Sequence, residues 1–185
     1  MDDIPETISS RAIFDGRVFR VRSDDLRYAD GHTQCVEIVE HRGSYAIVAT
    51  SAPDSLVLVR QYRHAAEAML WEIPAGVSEP GETAADGALR ELREETGYRA
   101  STMRPLGSMF VTPGYCTERL EFFHADGLSS GDQQLDEDER IAVASFTIGE
   151  AERLVETGQI ADVKTVVALL WMRGSRGELV PRNGR

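Results

Sequence analysis

Lysine is almost missing. Of the 20 basic residues in this 185-residue chain only Lys164 is a lysine, and the rest are arginine. A phosphate loop of the GK[ST] kind is thereby excluded, and Schiff-base chemistry has one candidate. Cysteine is scarce as well. Cys35 and Cys116 stand far apart, without CxxC or Cys/His spacing. That excludes a zinc ribbon or disulfide scaffold and fits a reducing cytoplasm. No run of 18 apolar residues occurs, so no membrane-spanning helix is expected. The acidic segment MDDIPETISS lacks the apolar stretch of a secretory signal. Positive charge is in deficit overall: 31 acidic residues against 20 basic give a net charge of −11. A nucleic-acid partner requires a basic footprint and is not expected. A small anionic substrate remains open, provided a metal or local arginines offset the field.

What is present suits a folded protein. At 42% hydrophobic and 28% charged residues, the chain can build a real core within one domain, or one domain with an appendage. The first third reads as short strands, Arg17–Val21, Thr33–His41 and Ser44–Thr50, broken at Asp15-Gly16, Asp30-Gly31 and Arg42-Gly43. Leu56–Val59 is a further strand, followed by a polar segment, Arg60–His64. Leu106–Thr112, Leu120–His124 and Ile141–Phe146 add more. Helices are expected over Thr83–Thr96, stopped by Gly97, and near Gly149–Glu156 and Asp162–Met172. In the last, Val163, Val166, Val167 and Leu170 form a core or dimer-facing stripe. Tyr28, Phe110, Phe122 and Phe123 read as core, His41 and His64 as strand and turn residues, and His32 and His124 have no distinguishing context. Mixed strands with three helices favour an α+β sandwich.

The helix over Thr83–Thr96 carries the chemistry. With Glu91 at 0° on a helical wheel, Glu94 falls at about −60° and Glu95 at about +40°, so three carboxylates share one face. Ala85, Leu89, Leu92 and Thr96 form the expected buried stripe, and Ala84 and Gly87 leave the acids unobstructed. Like charges at these spacings destabilise a helix by roughly a few tenths of a kcal/mol per pair. An interior glycine such as Gly87 costs about 1 kcal/mol more than alanine. A solvated acidic face and a site for a hard divalent cation both satisfy this pattern.

The surroundings separate the two. Gly76, Glu82, Arg90, Glu91, Leu92, Glu94, Glu95, Gly97 and Tyr98 satisfy the pattern G-x5-E-x7-R-E-U-x-E-E-x-G-U, with U bulky and apolar. A chance match is on the order of 10⁻⁶ at this composition. The segment 76–98 resembles the box of the Nudix hydrolases. The flanks resemble the family's ADP-ribose pyrophosphatase branch. They comprise Val59-Arg60-Gln61-Tyr62-Arg63, Trp71-Glu72-Ile73-Pro74-Ala75-Gly76, Pro113 at 16 residues beyond the box glycine, and Glu152–Met172.

The resemblance implies an α/β/α sandwich around a mixed sheet, with a small N-terminal β-domain. Residues 1–43 would form that β-region, a dimer exchange element, and residues 44–185 the hydrolase domain. It implies Mg²⁺ (or Mn²⁺) held by Glu91, Glu95, the Ala75 carbonyl and Glu139, with Glu94 binding or orienting water. Gly76, Glu82, Arg90 and Gly97 would brace the box. Aligned on Ile141, Glu137 in the run Asp136–Glu139 takes the general-base position, with Glu139 as its competitor. Arg63, Val77, Glu118 and Glu37 would bind substrate. Val36 stands where the branch often has arginine. The implied protein is a cytoplasmic homodimer that cleaves ADP-ribose to AMP and ribose 5-phosphate. Two alternatives stay open: cleavage of another nucleoside diphosphate sugar such as GDP-mannose or ADP-glucose, and a non-catalytic module that senses ADP-ribose or NAD derivatives.

Overall fold

The computed structural model describes residues 3–135 and 140–174. Ten strands and three helices run in the order β1 (Glu6–Asp15), β2 (Phe19–Arg27), β3 (Thr33–His41), β4 (Ser44–Ala49), β5 (Ser55–Arg63), β6 (Ala68–Glu72), β7 (Ala75–Val77), α1 (Ala84–Thr96), β8 (Arg99–Phe110), β9 (Arg119–Ser129), β10 (Ala142–Thr147), α2 (Ile148–Glu156) and α3 (Val163–Gly174). The fold is α+β. Its residues fall into two compact units, one running up to Gly43 and including Met109–Leu120, the other holding the rest.

In the first unit β1, β2 and β3 form an antiparallel sheet. Asp24 is buried there and accepts hydrogen bonds from Ser10 Oγ at 2.6 Å and Arg22 Nε at 2.8 Å. β1 is not among the expected strands. All ten of its residues are exposed, and register shifts at Thr7/Ser9 and Ala12/Phe14 break the alternation by which a strand is recognised. Asp15-Gly16 is the turn that joins it to β2.

The second unit holds the sheet β10-β5-β6 and, apart from the last two residues of β8 and the first two of β9, the sheet β7-β4-β9-β8. β4 is Ser-Tyr-Ala-Ile-Val-Ala and is buried at every position, as a strand covered on both faces must be. Alternation along β9 assigns the layers. Phe123 and Ala125 pack with Tyr45, Ile47, Ala88 and Leu92 under α1, whereas Phe122 meets Trp171 of α3 edge-on at 4.7 Å. Helices thus cover both faces of the sheet.

Several expectations are corrected. β5 continues through the polar segment to Arg63, because its outer residues pair with β6 up to Ala68. The stripe of α3 is not core: Val163 and Leu170 are exposed, and Thr165, Ala168 and Leu169 are buried instead. Phe110 is exposed beneath the guanidinium of Arg119, and Tyr28 is only half-buried. Along α1, Ala85 and Leu89 are exposed, and the buried face is Gly87, Ala88, Glu91, Leu92, Glu95 and Thr96. The buried arc is turned roughly 80° toward the acids. His124 also gains a context, with Nε2 3.1 Å from Thr50 Oγ1 and Nδ1 2.9 Å from Arg104 Nη2.

Candidate active site

Local chemistry sets the limits of α1. Thr83 caps the N-terminus, its Oγ1 accepting from the Asp86 N–H at 3.2 Å. Gly97 ends the helix with φ 74°, and its N–H donates to the Arg93 carbonyl at 2.8 Å. A Cβ there would also lie 2.5 Å from the Gly131 carbonyl oxygen, so glycine is required twice over.

Arg90 organises the acids. Its Nε and Nη2 donate to the two oxygens of Glu82 at 3.1 and 3.0 Å, and Nη1 donates to Glu91 at 2.7 Å and Glu94 at 3.0 Å. Nη2 also reaches the Val77 carbonyl at 3.4 Å. Bonding to Glu82, ahead of the other two acids, raises the Arg90 pKa. Arg90 in turn holds Glu82 below the usual carboxylate range, helped by the Glu79 N–H at 2.7 Å. One guanidinium thus offsets the repulsion between the carboxylates at i and i+3, Glu91 and Glu94, and ties both to Glu82.

Two glycines bring this helix onto the sheet. A Cβ at Gly76 would lie 1.9 Å from the Glu91 carboxyl carbon, so the carboxyl group occupies the room that a side chain would need. A Cβ at Gly87 would lie 2.1 Å from the Tyr45 ring and 2.7 Å from Glu82 Oε1. The propensity lost by an interior glycine, about 1 kcal/mol, is what this close approach costs. Glu95 is buried beside β7, and its Oε2 accepts from the Ala75 N–H at 2.9 Å. The acids at 91 and 95 are therefore not on an open face, as the wheel suggested. They are the buried edge of the helix.

Residues 131–134 close over the helix end. Gln133 Nε2 donates to the Glu95 carbonyl at 2.5 Å, and the Gln134 N–H donates to the Glu94 carbonyl at 3.0 Å. The acidic run that follows, with Glu137 and Glu139, lies outside the described residues.

Arg63 meets a partner that the sequence reading missed. Its Nε and Nη2 grip both oxygens of Glu72 at 2.8 and 2.7 Å. The Glu72 side chain is 2% exposed, and Lys164 Nζ reaches its Oε2 at 2.6 Å. Lys164 also donates to Asp162 Oδ1 at 2.9 Å, and the same oxygen accepts from the Thr165 N–H at 3.1 Å. Burial pushes the Glu72 pKa up, but Arg63 and Lys164 outweigh it and hold the carboxylate below its ordinary range. The bond to Glu72 raises the Arg63 pKa, and Glu95 and Asp162 add to it through space. The available signals were a lone acid between Trp71 and Ile73 in an apolar strand and the sole lysine.

The structure thus gathers Ala75, Gly76, Val77, Glu82, Arg90, Glu91, Glu94 and Glu95 into one cluster. Glu37 and Glu118 belong to the other unit. Glu37 is exposed on β3 opposite Ser23, and Glu118 Oε1 lies 3.9 Å from His41 Nδ1.

A loop and helix whose glycines are emptied for a carboxyl group and a ring, with one arginine tying three glutamates, match a known architecture. The model of the NUDIX domain matches residues 40–169. The chain belongs to the Nudix family. Among curated relatives, it is 39% identical to the methanol dehydrogenase activator of Bacillus methanolicus over 91% of this chain and 92% of that one. It is 35% identical to an ADP-ribose pyrophosphatase of Bacillus subtilis, with the same coverage. A crystal structure of an ADP compounds hydrolase superposes with a TM-score of 0.80 at 25% identity, covering 94% of this chain and 96% of the other.

The Nudix box also allows a test of fit for a cation. Buried carboxylates beside a backbone segment without a Cβ form a hard-oxygen donor set of the kind that suits Mg²⁺. Among the described residues no three His, Cys, Asp or Glu side chains converge into a ready-made cage. Arg90 holds Glu91 and Glu94, and the Ala75 N–H holds Glu95. The donors fit the ion in kind and neighbourhood.

Proposed function

We propose that this Nudix chain is a homodimeric, Mg²⁺-dependent (or Mn²⁺-dependent) pyrophosphatase that hydrolyses ADP-ribose to AMP and ribose 5-phosphate. The carrying observation is the buried pair Glu91 and Glu95, seated against Ala75 and Gly76 and braced through Arg90. The relatedness of more than nine-tenths of the chain to proteins named for ADP-ribose and ADP compounds supports the substrate.

Glu91, Glu95 and the Ala75 carbonyl would hold the cation, with Glu139 as a further ligand. Bound there, it supplies positive charge that neutralises the diphosphate and polarises the P–O bond that breaks. Glu94 orients the attacking water, and Glu137 takes its proton, with Glu139 as the competing base. The water oxygen forms a bond to one phosphorus as the bridging P–O bond opens. AMP and ribose 5-phosphate each leave with a phosphate. Arg63 draws in the diphosphate, and Val77, Glu118 and Glu37 hold the rest of the substrate. Gly76, Glu82, Arg90 and Gly97 brace the box. Residues 1–43 act as the exchange element of the dimer and residues 44–185 as the hydrolase domain. The free thiols Cys35 and Cys116 suit a cytoplasmic setting.

Product analysis with Mg²⁺ against ADP-ribose, GDP-mannose, ADP-glucose and NADH tests the assignment. Selective release of AMP from ADP-ribose is expected. Turnover of GDP-mannose at an equal or higher rate would transfer the assignment to that substrate. Tight ADP-ribose binding with no turnover would make the chain a sensing module. Glu95→Gln is expected to abolish turnover with the fold intact.

The 39% identity to a dehydrogenase activator favours a second reading, in which the same hydrolytic site serves a partner enzyme. Stimulation of methanol dehydrogenase by the wild-type chain, lost with Glu95→Gln, would support it.

A further inference from the structure

Arg63 is the cation assigned above to the diphosphate, and its guanidinium is already spoken for along one edge. Nε and Nη2 face Glu72, which leaves Nη1 on the other edge. The Arg63 side chain is 42% exposed while Glu72 is 2% exposed, so the pair is held from beneath and open above. Glu72 alone would bind this arginine too well. An isolated buried carboxylate keeps its only counter-cation, because leaving the charge uncompensated is among the most costly changes in a protein interior.

Glu72 has a second cation. Lys164 Nζ lies 2.6 Å from the same Oε2 that Arg63 Nη2 grips. Its own position is set from the start of α3, where Asp162 Oδ1 accepts from both Lys164 Nζ and the Thr165 N–H. Thr165 Oγ1 accepts from the Ile73 N–H at 2.9 Å, so this end of α3 is also tied to the backbone next to Glu72. The four side chains carry two positive and two negative charges, and the sole lysine of the chain completes the balance.

We propose that Lys164 is a positioning residue for substrate binding. By sharing Glu72 with Arg63, it fixes the carboxylate that sets the plane of the guanidinium. It also keeps the charge of Arg63 from being spent wholly on Glu72, so that the outer edge can meet a diphosphate. The inference rests on the phosphate role of Arg63.

The test compares Lys164→Met, Lys164→Arg, Arg63→Gln and the double variant Arg63→Gln/Lys164→Met in the full chain with Mg²⁺. KM and kcat for ADP-ribose are measured. So is the Kd of an ADP-ribose analogue with a methylene group between its phosphorus atoms, which reports binding without turnover. Lys164→Met is expected to raise KM and the analogue Kd about 5- to 20-fold with kcat within about twofold. Lys164→Arg, which keeps the charge, should restore both to within about threefold. The double variant should bind no worse than Arg63→Gln alone, because the lysine acts through the arginine. If Arg63→Gln binds normally, the phosphate role of Arg63 falls and this proposal with it. If Arg63→Gln binds weakly but Lys164→Met binds normally, only the role of Lys164 is overturned. The same holds if Lys164→Met lowers kcat and thermal midpoint together without rescue by Lys164→Arg, as loss of a purely structural ion pair would.

Discussion

Gly76 and Glu91 share one volume. The glycine has no Cβ, and the glutamate carboxyl fills the place where one would stand, 1.9 Å from its ideal position. Strand and helix are thereby brought together at the box, with the acid pressed against the chain that follows Ala75.

Gly76→Ala is therefore expected to displace Glu91 while leaving the fold intact. A misplacement of about 1 Å at a reacting centre costs on the order of 10²-fold in rate. Turnover should fall by about that factor, with a thermal midpoint close to wild type. A variant that keeps full activity would show that the Glu91 carboxyl does not need its present seat.

Gly87→Ala tests the contact with Tyr45 through its sign. At an open helical position, this change stabilises by about 1 kcal/mol. Here the new methyl overlaps the ring, and overpacking of this kind costs roughly 1–3 kcal/mol. Urea denaturation should show a net loss of stability.

Arg90→Met removes the only cation that touches Glu82, Glu91 and Glu94 together among the described residues. Breaking a buried pair costs roughly 3–5 kcal/mol, and partial exposure of Arg90 and Glu94 reduces this to about 2–3 kcal/mol. A cation can then replace the lost charge. Thermal melts should show Mg²⁺ stabilising Arg90→Met more than wild type, since binding to the folded state alone raises stability.

The pH dependence has a distinct source in His124. Burial lowers its pKa from the ordinary 6.5, with the Arg104 charge acting in the same direction against Asp126. The unfolded chain therefore binds the proton more readily, and stability rises with pH between the folded and unfolded values. This contribution is fully present above about pH 6.5 and is lost as the pH falls below it. His124→Gln should flatten the slope of unfolding free energy as the pH falls below about 6.5. An unchanged slope would assign the titration elsewhere.

The limits of α1 were readable along the chain because they are local: a threonine cap and a left-handed glycine act within four residues of the helix end. The box was readable for a similar reason, since its glycines and acids sit at fixed spacing in one segment, and that pattern already points to the Nudix family. Which face of α1 is buried was not readable. The wheel places Leu89 inside and the acids outside, but the helix turns toward the sheet because Gly76 and Gly87 remove the obstacles on the acidic side. β1 was hidden by its two register shifts and its exposure on both faces. The setting of Arg63 depends on Lys164, and Lys164 meets Glu72 at a separation of 92 residues. A single sequence specifies which charges exist. Only the meeting of the start of α3 with the end of β6 decides which of them share a buried carboxylate, because that choice is made by the cost of burying charge across distant segments.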